Sequence, residues 1–207
     1  MVFSVVVCRR IFPVSFSCMY DAVGTYSSPL GVLKLAAFGD RLAGLWFEDQ
    51  RYAPVLQAIL CDCAVLETTR RWLDAYFEGR KPGALPPLYM EGTPFRKEIW
   101  RLLLQIPYGE VCTYQSLAAA WGRKQGIPFC SARAVGNAVG HNPISILVPC
   151  HRVVGSDGSL VGYAGGLERK RYLLALEQVR FANGRILQEK PSWQERQLFP
   201  QLFPENL

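Results

Sequence analysis

The first half of the chain alternates between β-like and helical patterns of apolar residues. Residues 32–38 and 42–47 are β-like segments joined by Gly39-Asp40-Arg41, which predicts a β-hairpin. Pro54 opens a stretch of helical character that extends to about residue 63. A stronger helix is predicted over about residues 65–77, where apolar residues recur at near-helical spacing until Gly79 ends the pattern.

The second half is predicted to be mostly helical. Thr93-Pro94 predicts a helix start, because threonine is a good N-cap and proline suits the first helical position. Apolar residues then follow one helix face as far as Pro107. Thr113 caps a short helix over residues 114–121, and a second short helix follows Ser131 to about residue 140. Two short helices ahead of a strand favour a helix-turn-helix or winged arrangement, although the connecting loop is longer than the usual turn of about three or four residues.

A segment rich in proline and glycine, residues 79–92, separates these halves. Residues 1–92 carry nine Lys/Arg and nine Asp/Glu, whereas residues 93–207 carry 14 and 8. We therefore predict an N-terminal extension over residues 1–19, a small α/β domain over 20–92, a second domain over 93–187 and a tail over 188–207. The basic second half indicates either a polyanionic partner or a solubilising surface.

The N-terminal extension does not have the order of a signal peptide. Its positive residues, Arg9 and Arg10, interrupt two short apolar runs instead of preceding one long run, and Pro13 follows them. The extension is either a first strand or a dispensable segment whose working start is Met19. N-terminal mass analysis distinguishes these alternatives, since an intact Met1 contradicts the late start.

Composition excludes two broad classes of protein. Half of the 207 residues are hydrophobic and 19% are charged, so the chain has enough apolar surface to offset the entropy of ordering and is not a disordered protein. No apolar run approaches the roughly 18 residues that a membrane helix needs, which excludes a transmembrane protein.

The chain contains seven cysteines, which is an odd number, and it is too long to need stabilising disulfides. This cysteine usage indicates a reducing compartment. Cys61-x-Cys63 is a poor zinc signal, because only His141 and His151 could complete a site.

The second short helix consists almost entirely of small residues. Gly136 in its middle costs about 1 kcal/mol relative to alanine, so close approach to another surface is the expected compensation. That surface is either a neighbour in the core or a nucleic-acid groove. In the second case Arg133 is the one long side chain that reaches outward.

The strongest candidate for a catalytic segment is Ile-Leu-Val-Pro-Cys-His-Arg-Val-Val-Gly at residues 146–155. An apolar strand is predicted to deliver Cys150 and His151 to the point where Pro149 blocks ordinary strand pairing. A nearby imidazole or cation lowers the pKa of a thiol and makes it nucleophilic. Because neighbouring side chains on a strand point to opposite faces, the two residues cooperate only if the chain turns there or a water bridges them. The alternative is a buried, inert cysteine.

This segment resembles the active-site motif of the O6-alkylguanine-DNA alkyltransferases, also called methylated-DNA–protein-cysteine methyltransferases. The resemblance extends in order over residues 95–177, whereas residues 20–92 resemble the variable N-terminal domain of the family more weakly. It implies a small ribonuclease H-like α/β domain followed by a mostly helical winged-helix catalytic domain. The matching segments are Gly-Glu-Val-x-Thr-Tyr ending at Tyr114, Ala-Arg-Ala-Val-Gly at 132–136, Asn142-Pro143, residues 149–153, Tyr163-Ala164-Gly165-Gly166 and Leu173-Leu174-Ala175-x-Glu177.

The resemblance implies direct reversal of DNA damage, with one alkyl transfer per molecule and without a metal or organic cofactor. Cys150 matches the nucleophile, His151 the residue that takes its proton through water, and Glu177 the carboxylate that orients His151. Tyr114 matches the donor to the departing guanine, and it also helps to turn out the nucleotide. Asn142 matches a polar residue that ties together two segments beside the site.

The partner implied is double-stranded DNA that contains O6-alkylguanine, and the implied state is a monomer in the cytoplasm, or in the nucleus of a eukaryote. Arg133 matches the side chain that fills the hole left by a flipped base, and the small residues beside it allow close approach in the minor groove. The loop over residues 122–130 is longer than is usual in the family, so it either adds phosphate contacts or hinders binding. The remaining expected DNA contacts are Ala132, Gly136, Arg123, Lys124 and Arg152, and the expected base pocket is Pro149, Val153, Tyr163, Ala164 and Gly165.

Each of these residues also has an ordinary structural interpretation. Glu177 could be a solvated acid at a helix end, Tyr114 a core aromatic, Asn142 a turn residue and Arg133 a surface base. Arg169-Lys170-Arg171 is typical of a solvated helix face. Two other functions compete with the alkyltransferase: a silent sensor of alkylated guanine, which would lack the reactive cysteine, and a cysteine hydrolase, which would turn over repeatedly without DNA.

The tail contains a tandem Gln-Leu-Phe-Pro at residues 197–200 and 201–204. The simplest interpretation is a disordered end. A second hypothesis is a docking peptide for a sliding clamp, and a pull-down in which deletion of residues 196–207 leaves clamp binding intact would reject it.

Overall fold

The structure, a computed structural model, describes residues 20–56, 61–127 and 130–187. It opens with an antiparallel sheet of order β1-β2-β3, formed by β1 (Ala22–Ser28), β2 (Gly31–Phe38) and β3 (Arg41–Phe47). The predicted hairpin is therefore confirmed, and β1 is a strand that the pattern analysis missed. The predictions for residues 1–19 and for the tail from residue 188 fall outside the described residues.

One face of this sheet is covered by helix α1 (Ala64–Phe77). Its buried residues recur at helical spacing and include Leu66, Leu73 and Tyr76, which pack into the same core as Leu35 and Leu45 of the sheet. Burying this apolar stripe against the sheet stabilises both elements, since neither can shield its apolar side alone. The end of the helix carries Tyr76 toward the second half of the molecule.

The helix expected over residues 54–63 is wrong in its described parts. Residues 53–56 and 61–63 form no helix, and residues 57–60 lie outside the described part of the chain. The backbone N–H of Cys61 donates to the carbonyl oxygen of Val23 at 3.2 Å, so this end of the segment runs beside β1 instead of coiling. Cys63 then adopts the extended conformation of the N-cap of α1.

The second half is a cluster of helices: α2 (Pro94–Leu103), α3 (Tyr114–Gln125) and α4 (Ala132–Gly140). The caps are those that the sequence predicts, because the side chain of Thr93 accepts from the N–H of Arg96 and Thr113 forms a reciprocal capping box with Ser116. At the centre, the buried Trp100 donates its indole N–H to the carbonyl oxygen of Ala138 at 2.8 Å. Helix α3 continues four residues beyond its predicted end and stops at a left-handed glycine, residue 126 (φ 67°).

The predicted strand before Cys150 is wrong. Residues 145–148 form turns and a bend, and residues 150–152 form one turn of 3₁₀ helix. The short strand β5 (Val153–Val154) follows and pairs in parallel with β4 (Cys112–Thr113), ahead of helix α5 (Leu167–Leu176) and a terminal hairpin of β6 (Phe181–Ala182) and β7 (Arg185–Ile186). The apolar run is buried as a compact turn because its backbone groups bond to one another and to the side chain of Asn142, which bonds to Ile144 N, Ile144 O and Val148 O.

The two halves share one hydrophobic core. The backbone N–H of Leu45 in β3 donates to Pro143 O at 2.9 Å, and its carbonyl oxygen accepts from Ser145 N at 2.8 Å. These two hydrogen bonds attach the turn that precedes Cys150 to the sheet. Within the described residues, no helix is both long enough and apolar enough to cross a membrane.

Candidate active site

Cys150 lies at the start of the 3₁₀ turn and at the base of a cavity of about 270 Å³. Its side chain is 3% exposed, and the Sγ atom accepts a hydrogen bond from Asn142 Nδ2 at 3.0 Å. Burial raises the pKa of the Cys150 thiol, while the Asn142 hydrogen bond and the charge of Lys170 oppose this rise. The sulfur is therefore a protonated thiol, and Asn142 and Lys170 both favour its ionised form.

Asn142 organises the turn that holds the cysteine. Besides Sγ, its Nδ2 donates to Val148 O at 2.8 Å and Ile144 O at 3.2 Å, while its Oδ1 accepts from Ile144 N at 3.0 Å. The side chain is buried. It joins residues 142–144 to residues 148–150.

The 3₁₀ turn places His151 against Glu177, which caps the C-terminal end of α5. His151 Nε2 lies 2.7 Å from Glu177 Oε1, and both side chains are fully buried. Burial lowers the pKa of His151 more than Glu177 raises it, so the imidazole is neutral near pH 7. Because Glu177 is an acceptor, Nε2 carries the proton, and Nδ1 keeps its lone pair with no partner among the described residues.

Glu177 is surrounded by donors. Its Oε1 accepts from Arg152 Nη2 at 2.9 Å and from the hydroxyl of Tyr76 at 2.6 Å, and its Oε2 accepts from Arg152 Nε at 2.8 Å and Gly109 N at 3.1 Å. Burial alone raises the pKa of this carboxyl, but His151 and Arg152 outweigh it and hold the pKa well below its usual range. Glu177 is a buried anion, and its interpretation as a solvated acid is wrong.

Arg152 requires a correction, because it was expected to contact DNA. Its guanidinium is bidentate to Glu177, and Nη1 donates to Ile106 O at 2.7 Å. The residue is 8% exposed. Removing it from these partners to reach a phosphate would leave Glu177 without its main counter-charge, so Arg152 is a structural partner of the relay.

Tyr114 begins α3 and lines the cavity above Cys150. Its hydroxyl donates to Gly162 O at 3.1 Å, in the loop that closes the cavity on the other side. Burial raises the pKa of this phenol, with a further contribution from Cys150, so it remains protonated and can donate a hydrogen bond. Tyr114 is therefore a hydrogen-bond donor in the same cavity as the sulfur.

The loop over residues 161–166 forms part of the wall of the cavity. Tyr163 and Ala164 line the cavity, and Arg51 N donates to Ala164 O at 3.0 Å. Val153 is fully buried in the core because β5 pairs with β4, and a Cβ at Gly165 would lie 2.9 Å from the ring of Phe47. Pro149, Val153 and Gly165 are not among the residues that line the cavity, and their place in a base pocket stays a prediction.

Helices α3 and α4 line a second, open groove of about 790 Å³, which adjoins the first cavity at Tyr114 and Gly136. Helix α4 buries Val135, Ala138 and Val139 and exposes Ala132 and Arg133 toward this groove. Helix α4 therefore packs into the core with one face and lines the open groove with the other, and contact of that groove with nucleic acid stays a prediction. Arg123 and Lys124 are exposed near the end of α3, where Lys124 forms an ion pair with Glu98.

Lys170 and the mouth of the cavity are features that the sequence analysis missed. Lys170 is fully buried beneath the site, where burial lowers its pKa to about 8 and its Nζ donates to Val161 O at 2.6 Å and Gly162 O at 3.2 Å. The solvated interpretation of residues 169–171 is therefore wrong at Lys170. The sequence signal for its burial was helical spacing, because Lys170 shares one helix face with Leu173, Leu174 and Glu177.

At the mouth of the cavity, Tyr52 stacks on His141 with ring centroids 4.1 Å apart.

Among the described residues, no three His, Cys, Asp or Glu side chains are grouped so that they could hold a metal ion. The lining of the cavity contains polar side chains of several kinds: a thiol, an amide, an imidazole, a guanidinium and phenols, from Cys150, Asn137, His141, Arg51, Tyr52, Tyr114 and Tyr163. With the buried His151–Glu177 pair behind the thiol, this set supports nucleophilic attack by sulfur on a carbon atom held in the cavity.

Two family models match the chain. The model described as 6-O-methylguanine DNA methyltransferase, DNA binding domain, matches residues 94–179, and the ribonuclease-like domain of the same description matches residues 22–84. The methylated-DNA–protein-cysteine methyltransferase of Mycobacterium tuberculosis (strain ATCC 25618 / H37Rv) is 43% identical over 156 residues, which cover 75% of this chain and 92% of that protein. The protein of the same name from Haemophilus influenzae is 39% identical over 168 residues, covering 80% and 91%.

A solved structure of a protein with a similar sequence also matches the fold of this chain. The crystal structure of Mycobacterium tuberculosis OGT in complex with DNA matches with a TM-score of 0.65 at 42% identity, and the match covers 74% of this chain and 91% of that chain. With the ribonuclease-like match, this confirms the predicted fold class, a small α/β domain followed by a mostly helical DNA-binding domain.

Proposed function

The chain belongs to the 6-O-methylguanine DNA methyltransferase family, and we propose that it repairs alkylated DNA by moving the alkyl group from guanine O6 to the sulfur of its own Cys150. Repair of DNA by alkyl transfer to a protein cysteine is the function that this membership supports. The observation that carries the assignment of the acceptor is the position of Cys150 at the base of the cavity, beside the buried His151–Glu177 pair. The bond between carbon and O6 breaks as the bond between carbon and sulfur forms.

The first step we propose is removal of the thiol proton. His151 is neutral, with Nε2 bound to Glu177 and the lone pair of Nδ1 available, and a water molecule carries the proton from Sγ to Nδ1. The imidazolium so formed faces the ionised Glu177, which stabilises it. Lys170 places a second positive charge near the sulfur and favours the thiolate.

The second step is departure of the guanine. A guanine anion is a poor leaving group, so a hydrogen-bond donor is needed as the carbon–oxygen bond breaks. Tyr114 supplies it, because its hydroxyl lies in the cavity and its raised pKa keeps the proton on the phenol. The alkyl group stays on sulfur, and each molecule therefore reacts once.

The substrate we propose is double-stranded DNA that contains O6-alkylguanine, with O4-alkylthymine as a second lesion. The target carbon cannot reach a buried sulfur from inside a stacked duplex, so the base must be flipped out. The open groove of α3 and α4 adjoins the cavity and exposes Arg133 above small residues, which suits insertion into a minor groove. We further propose that the protein acts as a monomer, because one chain carries the whole site, and that it works in the cytoplasm, or in the nucleus of a eukaryote.

Replacing Arg133 with alanine is expected to slow transfer from duplex DNA about tenfold while leaving transfer from a free alkylated base analogue unchanged. The reason is that Arg133 fills the hole left by the flipped base, and flipping costs a few kcal/mol. Single-turnover rates on both substrates measure the effect, and Arg171→Ala, an exposed arginine on α5, is the matched control. Equal losses on both substrates would contradict a flipping role.

The proposed function is tested with an oligonucleotide duplex carrying a single O6-methylguanine. We expect one methyl group per protein, located by peptide mass on the peptide that contains Cys150, with no further gain when DNA is in excess. Repeated turnover without DNA would instead favour a cysteine hydrolase. Binding of the lesion without any mass gain would favour a silent sensor, a class that the presence of Cys150 disfavours.

The hypothesis that the tail docks on a sliding clamp concerns residues outside the described part of the chain. It rests on the tandem Gln-Leu-Phe-Pro motif alone.

A further inference from the structure

The N-terminal half of the molecule contributes a side chain to the relay. Tyr76, in the last turn of α1, points out of that half and donates its hydroxyl proton to Glu177 Oε1 at 2.6 Å. The same hydroxyl oxygen lies 3.5 Å from His151 Nε2. Neither the family matches nor the sequence motifs assign a role to this residue. We propose that Tyr76 is a positioning residue that orients Glu177 and His151 for proton removal from Cys150; this inference rests on the proposed function.

The geometry permits only one direction for the hydrogen bond. Tyr76 is fully buried, and burial together with the charge of Glu177 raises the pKa of its phenol well above the usual value. The hydroxyl therefore keeps its proton and acts as a donor to the carboxylate. Because Glu177 Oε1 also accepts from His151 and Arg152, Tyr76 competes directly with the imidazole for the same oxygen atom.

This competition has a predictable consequence. A carboxylate oxygen that shares its charge among three donors holds each of them less strongly than it would hold two. Loss of the Tyr76 hydroxyl should therefore make Glu177 a stronger partner for the protonated imidazole and shift formation of the thiolate–imidazolium pair to lower pH. It should also remove one of the bonds that fix the carboxylate, so that His151 is less well aimed at the sulfur and the limiting rate falls.

Tyr76 is held firmly enough to act in this way. Its ring stacks on Trp72 with centroids 5.5 Å apart and meets Tyr108 edge-on at 6.1 Å. Tyr108 in turn lies under the guanidinium of Arg152, at 5.8 Å from the ring centroid. The aromatic cluster therefore links the last turn of α1 to the ion pair that surrounds Glu177, and phenylalanine at position 76 would keep this packing.

The test is Tyr76→Phe in the full-length chain, compared with Tyr26→Phe. The control removes the same atom from a tyrosine that also donates to a carboxylate, since the hydroxyl of Tyr26 donates to the exposed Asp74 at 2.8 Å, away from the relay. Two rates are measured across pH: methyl transfer from a lesion-containing duplex and alkylation of Cys150 by iodoacetamide. For Tyr76→Phe we expect a plateau transfer rate lower by roughly tenfold, and a midpoint of thiol reactivity lower by about half a pH unit.

Affinity for undamaged DNA and the unfolding temperature are measured on the same samples, and all rates refer to folded protein. Rates and midpoints equal to those of Tyr26→Phe would overturn the proposal. A lower unfolding temperature with an unchanged midpoint and an unchanged transfer rate per folded molecule would also overturn it and make Tyr76 a packing residue. Failure of the proposed function looks different, because the wild-type protein would then transfer no methyl group while the iodoacetamide profiles would still report on Tyr76.

Discussion

Cys150→Ala is expected to abolish alkyl transfer and leave DNA binding intact. The thiol is the only group that the substitution removes, and it lies at the base of the cavity, away from the groove in which Arg133 is exposed. The surrounding turn should persist, because Asn142 Nδ2 keeps its bonds to Val148 O and Ile144 O. The measurement is the mass gain of each variant after incubation with excess lesion duplex, together with its affinity for that duplex.

The matched control for this prediction is Cys130→Ala. Cys130 lines the open groove and is more exposed than Cys150, but no imidazole–carboxylate pair stands behind it among the described contacts. If access decided which thiol reacts, Cys130 would take the alkyl group and its removal would stop the reaction. We expect full transfer in Cys130→Ala, and any methylation of DNA-treated Cys150→Ala at Cys130 would contradict the assignment of the nucleophile.

Among the proposed substitutions, Glu177→Gln is expected to lower the free energy of unfolding most, and it should also abolish alkyl transfer. The substitution removes a buried negative charge that balances Arg152 and accepts from Tyr76 and Gly109. Breaking a buried ion pair by removing one partner costs about 3–5 kcal/mol. For a chain of this length that lowers the unfolding temperature by roughly 6–20 °C. Thermal unfolding measured by circular dichroism gives the difference directly.

The pH dependence of this loss follows from the lowered pKa of Glu177. A carboxyl whose pKa is lower in the folded state stabilises the protein above its unfolded pKa, which for glutamate is about 4.3, and this contribution is lost as the pH falls below that value. The difference between wild type and Glu177→Gln should therefore be largest near neutral pH and shrink below about pH 4. Glu168→Gln, which breaks an exposed ion pair with Arg171 on the same helix, should cost less than about 1 kcal/mol at any pH. A variant difference that does not change with pH would contradict the role of Glu177 as a buried anion.

Local signals in the sequence predicted the local structure well. Thr93-Pro94 and Thr113 cap the helices that their side chains imply, and the glycine turn between β2 and β3 lies where the hairpin was expected. These features depend on neighbouring residues alone, because a cap or a turn is satisfied within a few positions of the chain. The same reasoning failed at residues 145–148, where an apolar run that looks like a strand is a buried turn.

The sequence by itself determined the fold class, the family and the residue types of the chemistry, because ordered motifs from Tyr114 to Glu177 carry them in linear form. Only the tertiary structure decided which charges are buried. It paired Arg152 with Glu177 instead of exposing it, buried Lys170 beneath the site, and brought Tyr76 from the first half of the chain to the relay. The physical reason is that the state of an ionisable side chain depends on its solvation and on partners far away in sequence, and a one-dimensional pattern specifies neither.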